Sequence, residues 1–137
     1  MRDAFPRPFT LERARSFIGA ARAAQPETRF AICVDDAAVG GIGFTLHSDV
    51  ERVSAELGYW LGEACWGRGI ASEAVIAVTR YALETHRLTR VFAVPFATNL
   101  GSARVLEKAG YLLEGRLRRS MIKEEQVNDQ LLYAFVV

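Results

Sequence analysis

The sequence predicts a mixed α/β protein (α+β, mixed sheet) with a central, mostly antiparallel sheet flanked by helices. Three observations predict it. Strand-like and helix-like segments alternate along the chain in the order α-β-β-β-α-β-α-β-β, which combines hairpins with a crossover helix. Around Ser54 to Thr79 the apolar period changes. Leu57, Tyr59 and Leu61 fall on one side of a strand with Glu56, Gly58 and Trp60 on the other, whereas Ile70, Ala74, Ala77, Val78 and Tyr81 recur at helical steps. The chain then closes on Leu131 to Val137, apolar at nearly every position, as a strand buried on both faces reads.

Composition bounds the rest. At 137 residues, half of them apolar and 24% charged, the chain is long enough for one domain (1–137) with a real core. A net charge of +1 with no basic run gives no footprint for nucleic acid. No stretch approaches the roughly 20 apolar residues that span a bilayer. The N-terminus lacks a signal-peptide pattern, so the expected location is cytoplasmic, without a membrane partner. Cys33 and Cys65 have neither metal-ligand nor CxxC spacing, and no metal is expected; each reads as a free thiol in a reducing compartment.

Met1 to Phe9 is Pro- and Arg-bearing and reads as extended. Thr10 can cap a helix running to about Ala24, with Leu11, Ala14, Phe17, Ile18 and Ala21 inward, and Gln25-Pro26 ends it. Arg29 to Val34 is a strand, Asp35-Asp36 a hairpin turn, and Ala38 to Leu46 the returning strand. His47 to Arg52 is a polar loop. The strand and helix described above carry the chain to about His86, which suits the negative end of a helix. Arg90 to Pro95 is a further strand. Asn99 to Lys108 is a short helix with Ala103 and Leu106 inward, stopped at Ala109-Gly110. Tyr111 to Met121 and Leu131 to Val137 are the last strands, joined by the polar turn EEQVNDQ.

Chemistry concentrates at the turn between the third strand and its helix. Gly67 and Gly69 flank Arg68 ahead of a helix that opens on small residues, Ile70-Ala71-Ser72. Such a turn leaves backbone N–H groups free at a helix N-terminus, where the dipole also favours an anion. The residues are compatible with a turn that merely connects strand to helix, and with a site for a pyrophosphate. A P-loop is not written here, because no Gly-Lys-Ser/Thr follows, nor does a Rossmann-type acidic residue. Asn99 is at least a helix N-cap, with Ser102 three residues on.

Three separated stretches, WLGEACWGRGIASEAV, NLGSARVLEKAGYLLEG and DQLLYAF, together resemble the GNAT superfamily of acyl-CoA-dependent N-acetyltransferases. Within it, the likeness is to the branch that acetylates N-terminal amines of ribosomal proteins. The match runs from about Thr10 to the end. The family's loop motif is Gln/Arg-x-x-Gly-x-Gly/Ala; Trp66-Gly67-Arg68-Gly69-Ile70-Ala71 keeps its Gly and Ala, with Trp66 in the leading place. The resemblance implies that backbone amides of Gly67, Arg68, Gly69, Ile70 and Ala71 hold the coenzyme A pyrophosphate, with Ser72 adding a hydroxyl. It also implies Leu61 and Asn99 along the cofactor arm, and Ser102 near its sulfur. The implied co-substrate is acetyl-CoA, and the partner a primary amine, either a protein N-terminal α-amine or a small-molecule amine.

The resemblance further implies direct amine attack on the thioester in a ternary complex. Glu56 is the implied general base, directly or through water; the alternative is a strand carboxylate that lines the cleft or pairs with an arginine. An α-amino group titrates near roughly 7.7–8.0 against roughly 10.4 for lysine, so a modest base suffices for an N-terminal amine. Some members carry a Tyr as general acid where this chain has Leu106, which leaves Ser102 as the candidate donor. An oxyanion donor is implied in the backbone near Tyr59 or Trp60, at a bulge in the strand. Neither cysteine has a His at suggestive spacing, which argues against an acyl-cysteine.

The resemblance implies a first strand and helix ahead of the segment matching Met1 to Ala24, and this chain is expected to lack them, either as a truncation or with a partner supplying the missing edge. An edge strand left exposed invites pairing, so a homo-oligomer is an expectation. A non-catalytic acyl-CoA-binding module and a nucleotide-binding domain remain as other readings. Acceptor specificity is expected in about Phe9 to Arg13, His47 to Arg52 and Glu124 to Asp129, which carry no readable code.

Overall fold

The computed structural model describes residues 28–137, and the helix expected over Thr10 to Ala24 lies outside them. Six strands form one sheet: β1 (Arg29–Val34), β2 (Ala37–Leu46), β3 (Ser54–Leu61), β4 (Arg90–Ala93), β5 (Leu112–Lys123) and β6 (Gln126–Val136), in the spatial order β1-β2-β3-β4-β6-β5. Two α-helices, α1 (Ile70–His86) and α2 (Leu100–Lys108), and two single 3-10 turns, Asp49–Glu51 and Glu63–Cys65, complete the described residues. Every neighbouring pair of strands is antiparallel except β3 and β4, which the α1 crossover makes parallel. The mixed sheet read from the sequence is the one observed.

Local chemistry sets the turns. Asp35 and Asp36 both have positive φ, 52° and 69°, the signature of the tight hairpin turn that suits strand twist. Glu124 and Glu125 do the same at 51° and 63°, so β5 and β6 meet in a two-residue turn. This corrects the sequence reading, which gave all of EEQVNDQ to a turn and began the last strand at Leu131. Gln126 to Gln130 are strand, because β5 supplies their ladder partners whatever the side chains, and Gln130 also bridges Phe96.

The core lies between the sheet and α1. Ile70, Ala71, Ala74, Val75, Val78 and Ala82 of α1 are buried against Ile32, Phe44, Leu57 and Val91 of the strands. The buried stripe thus sits slightly around the helix from the predicted one: Ala77 and Tyr81 are half-buried at its margin. Tyr81 closes that margin, edge-on to Phe30 with ring centroids 5.5 Å apart. Behind it, Thr79 and Tyr111 share a buried hydroxyl–hydroxyl bond of 2.6 Å, and burial pushes the Tyr111 phenol far up.

β6 is interior in the sheet, yet it is not buried along its length. Tyr133 and Ala134 are buried, whereas Val136 and Val137 are exposed. The outer strand β5 is largely solvent-facing on both sides. Arg90 reaches across β6 to Glu114 with two bonds of 2.9 and 2.7 Å, tying β4 to β5 and holding the Glu114 carboxyl below its ordinary range. Halfway along β5 three residues, Arg118 to Ser120, oppose Asp129 alone. Arg119 turns left-handed there, and the Asp129 carboxylate accepts from its backbone N–H and from Arg116.

Candidate active site

Parallel pairing between β3 and β4 lasts only three residues, from Ser54↔Arg90 to Glu56↔Phe92. Beyond it β3 runs on to Leu61 with no partner on that side, while β4 ends at Ala93. β4 cannot follow, because Pro95 lacks a ladder donor and the 94–97 segment turns to β6, where Leu131 N donates to the Pro95 carbonyl. The two strands therefore open into a fork. Its mouth lies at the carboxyl ends of parallel strands, where open α/β sheets bind ligands.

This fork replaces the bulge expected near Tyr59 and Trp60. The β2–β3 register runs unbroken from Gly40↔Leu61 to Leu46↔Ala55, so nothing is inserted in β3. The divergence of β4 has the effect a bulge would have had: alternate backbone N–H groups over Leu57–Leu61 face the fork without a strand partner.

One wall of the mouth is the start of α1. Gly67 and Gly69 have φ of 76° and 77°, which a side chain rarely adopts, and open space lies where each Cβ would be. No side chain caps Gly69, and the first backbone bond of the helix is Glu73 N to Gly69 O. The amides of Ile70, Ala71 and Ser72 thus point out of the helix end as free donors. Arg68 is exposed between the glycines, and Ser72 is buried in the first turn. Trp66 has a role that the sequence did not reveal: its indole N–H donates to the Leu61 carbonyl at 2.7 Å, which pins the loop to the end of β3. These residues fit a pyrophosphate, since uncapped amides and glycines with open space beside them leave room for an anion.

The opposite wall is the start of α2. Asn99 is the N-cap, its side chain accepting from Ser102 N at 3.0 Å. Ser102 is half-buried, and its hydroxyl lies 2.7 Å from the Tyr59 hydroxyl, which is also 3.3 Å from the Ser102 carbonyl. Burial pushes the Tyr59 phenol above its ordinary value, opposed by the Ser102 bond. Sequence reasoning considered only the backbone of Tyr59. The signal was present, since the alternation puts a hydroxyl on the apolar side of β3, where it needs a partner. Leu106 is fully buried in the core and offers nothing to the fork.

Glu56 stands at the crotch of the fork, in the last β3–β4 pair, exposed on the sheet face opposite Tyr59. With Gly58, Trp60, Thr45, Gly43 and Arg29 it lines a groove of about 320 Å³. Glycine is required at Gly43, where a Cβ would lie 2.7 Å from the Thr28 carbonyl and 2.8 Å from Arg29. Trp60, 63% exposed, lies across Gly41 for the same reason. The structure thus brings Leu61, Gly67–Ser72, Asn99 and Ser102 to one mouth and puts Glu56 on the far side of the sheet.

The other candidates fall elsewhere. Cys33 is buried in β1 and Cys65 in the short turn before the loop, and neither forms a disulfide. His86 corrects its reading as a helix-end cation. Its Nε2 is buried without a partner, the ring is edge-on to Phe44, and burial favours the neutral form. His47 sits 3.4 Å from Glu51 in the His47–Arg52 loop, and the Phe9–Arg13 segment lies outside the described residues. Among the described residues no helix is long and apolar enough to cross a membrane.

Comparison with known proteins matches these features to one family. The acetyltransferase (GNAT) domain matches residues 1–112. An uncharacterized N-acetyltransferase of Bacillus subtilis, YoaA, is 36% identical over 72% of this chain and 55% of its own length. The ribosomal-protein-serine acetyltransferase of Escherichia coli is 31% identical over 79% of this chain and 60% of its own length. Among solved structures, the microcin C7 self-immunity acetyltransferase MccE, in complex with acetyl-CoA and AMP, superposes with a TM-score of 0.72 at 25% identity, covering 80% of this chain and 60% of that one. The chain thus spans little more than half the length of these relatives.

Proposed function

The chain belongs to the GNAT acetyltransferase family, and on that premise we propose that it transfers an acetyl group from acetyl-CoA to a primary amine. The acceptor is a protein N-terminal α-amine or a small-molecule amine. The observation that carries this reading is the β3–β4 fork, with the uncapped start of α1 at one wall and the capped start of α2 at the other. Backbone amides of Gly67 to Ala71 and the Ser72 hydroxyl would hold the pyrophosphate, and Leu61 and Asn99 would flank the arm that follows. Bound there, acetyl-CoA supplies the activated acyl group.

The chain's own groups do the rest. Glu56, exposed to water at the crotch of the fork, takes the proton from the incoming amine, directly or through a water. An unpartnered N–H of Leu57–Leu61 donates to the oxygen on which charge develops. Ser102, at the first turn of α2, donates toward the departing sulfur; a free thiol titrates near roughly 8.5, so a weak donor serves. No covalent acyl-enzyme is needed, and both cysteines are buried. The similarity to a ribosomal-protein-serine acetyltransferase supports a protein N-terminus as acceptor, and its α-amine is the easier of the two to deprotonate. The two free cysteines support a reducing, cytoplasmic setting.

A thiol-release assay across N-terminal peptides and small amines tests this. Wild type releases coenzyme A in an amine-dependent manner, and Glu56→Gln loses about 10²–10⁴ in rate with acetyl-CoA affinity unchanged. Acetyl-CoA binding without release for any amine leaves an acyl-CoA-binding module instead.

A further inference from the structure

We infer that Tyr59 is a positioning residue which, through its 2.7 Å hydroxyl–hydroxyl bond, aims the Ser102 O–H at the departing sulfur of the acyl donor. The inference rests on the acetyl-transfer reading above and adds a residue to it.

Two hydroxyls at that distance share one hydrogen between them, so the pair keeps one O–H to spend elsewhere. The Tyr59 hydroxyl has two acceptors on Ser102, the hydroxyl at 2.7 Å and the carbonyl at 3.3 Å. The hydroxyl is the nearer, and a phenol, with a pKa near roughly 10, is a far stronger acid than an aliphatic alcohol, so we assign Tyr59 as donor to Ser102 Oγ. The Ser102 hydrogen is then left over. The acceptors of the preceding turn are already engaged: the Asn99 side chain accepts from Ser102 N, and the Asn99 carbonyl from Ala103 N. Tyr59 is the one side chain bonded to Ser102 Oγ among the described residues.

The placement suits a developing anion. Ser102 lies in the first turn of α2, where the helix dipole favours negative charge, and that turn carries no acidic residue. The Tyr59 ring comes from β3 and spans the fork to reach α2, so it fixes the Ser102 rotamer from the opposite wall. The helix has no hydroxyl one turn later, because Leu106 is buried in the core. Burial also keeps the Tyr59 phenol protonated well past neutral pH, so it remains a donor.

The step balances simply. Nitrogen attacks the acyl carbon, the C–S bond breaks with its electron pair on sulfur, and sulfur takes the Ser102 hydrogen. Ser102 recovers a proton from Tyr59, and Tyr59 from solvent, to which Glu56 releases the proton it took from the amine. Net transfer is one proton from nitrogen to sulfur.

The test reads the thiol of bound coenzyme A, so it needs no acceptor. Affinities of the full 137-residue chain for coenzyme A and for desulfo-coenzyme A are measured by calorimetry from pH 7 to 9.5. In wild type the thiolate is preferred over the thiol by about tenfold, the worth of one hydrogen bond to a charged group. Tyr59→Phe loses most of that preference, Ser102→Ala loses it all, and the double variant loses no more than Ser102→Ala. Tyr133→Phe, which removes a buried phenol from the far end of α2, retains it. A thiolate preference that survives Tyr59→Phe overturns the inference, as does its absence from a wild type that binds both ligands. If Tyr59→Phe does not fold, a Ser102→Ala variant that keeps the preference is equally fatal. Wild type that binds neither ligand overturns the acetyl-transfer reading itself.

Discussion

Gly69→Glu separates the anion site from the fold. Gly69 has φ 77° and ψ 1°, and a Cβ there would meet nothing within 4 Å. A side chain is therefore opposed only by the left-handed backbone, about 1–2 kcal/mol. The carboxylate returns part of this, about 0.3–1 kcal/mol, by sitting at the positive end of α1. It also occupies the site proposed for the pyrophosphate. Two like charges about 5 Å apart at an effective dielectric of about 20 repel by about 3 kcal/mol, more than a hundredfold in Kd. The assay is a thermal-shift titration with acetyl-CoA, with ATP and NAD alongside. At 100 times its Kd the ligand adds about 2.7 kcal/mol to wild type. For a chain of 137 residues that is about 9 °C. At the same concentration Gly69→Glu gains about 0.4 kcal/mol at most, about 1 °C. Gly69→Ala has the backbone strain without the charge and retains most of the shift. A full shift in Gly69→Glu refutes the site, and equal shifts with ATP or NAD would point to a general phosphate site.

Two further outcomes concern stability. Tyr111→Phe strands the Thr79 hydroxyl, only 3% exposed, and lowers unfolding free energy by about 1–3 kcal/mol in urea. Thr79→Val/Tyr111→Phe recovers most of it, since both polar groups are then gone. Burial holds the His86 imidazole below its ordinary pKa, so the unfolded chain takes up the proton first and stability falls as pH drops below about 6.5. His86→Leu flattens that loss in urea midpoints between pH 5 and 7; an unchanged slope contradicts the burial argument.

The parts of the fold written in local pattern were legible. The period change near Gly67, the Asp35-Asp36 turn and the Asn99 cap are each set by a few adjacent residues, and the structure places them accordingly. Where partners lie far apart in sequence, the reading slipped. Gln126 to Gln130 read as loop because most of them are polar, yet β5 pairs with them and draws them into the sheet. The bulge expected in β3 is a divergence of β4, and that is decided by Pro95 docking on Leu131 rather than by anything in β3. His86 looked like a helix-end cation because the Phe44 ring against it comes from 42 residues earlier. The Tyr59–Ser102 bond joins residues 43 apart, and no local rule pairs them.

The arrangement of the proposed chemistry follows from parity along one strand. Glu56 and Tyr59 are an odd number of residues apart, so the pleat sends them to opposite faces of β3. The pleat therefore keeps a base that receives a proton from nitrogen apart from a hydroxyl pair that delivers one to sulfur. In the attack geometry the nucleophile and the leaving group lie on different sides of the acyl carbon, which is what two faces of one sheet provide. The separation also requires an opening through the sheet, since a closed β3–β4 ladder would put backbone where the acyl group has to sit. The fork supplies it at Glu56↔Phe92, the last pair before the strands part. Extending the ladder by replacing Pro95 with a residue that can donate to it would narrow that opening. We expect Pro95→Val to weaken acetyl-CoA binding without lowering thermal stability; unchanged affinity would show that the fork is held open by other means.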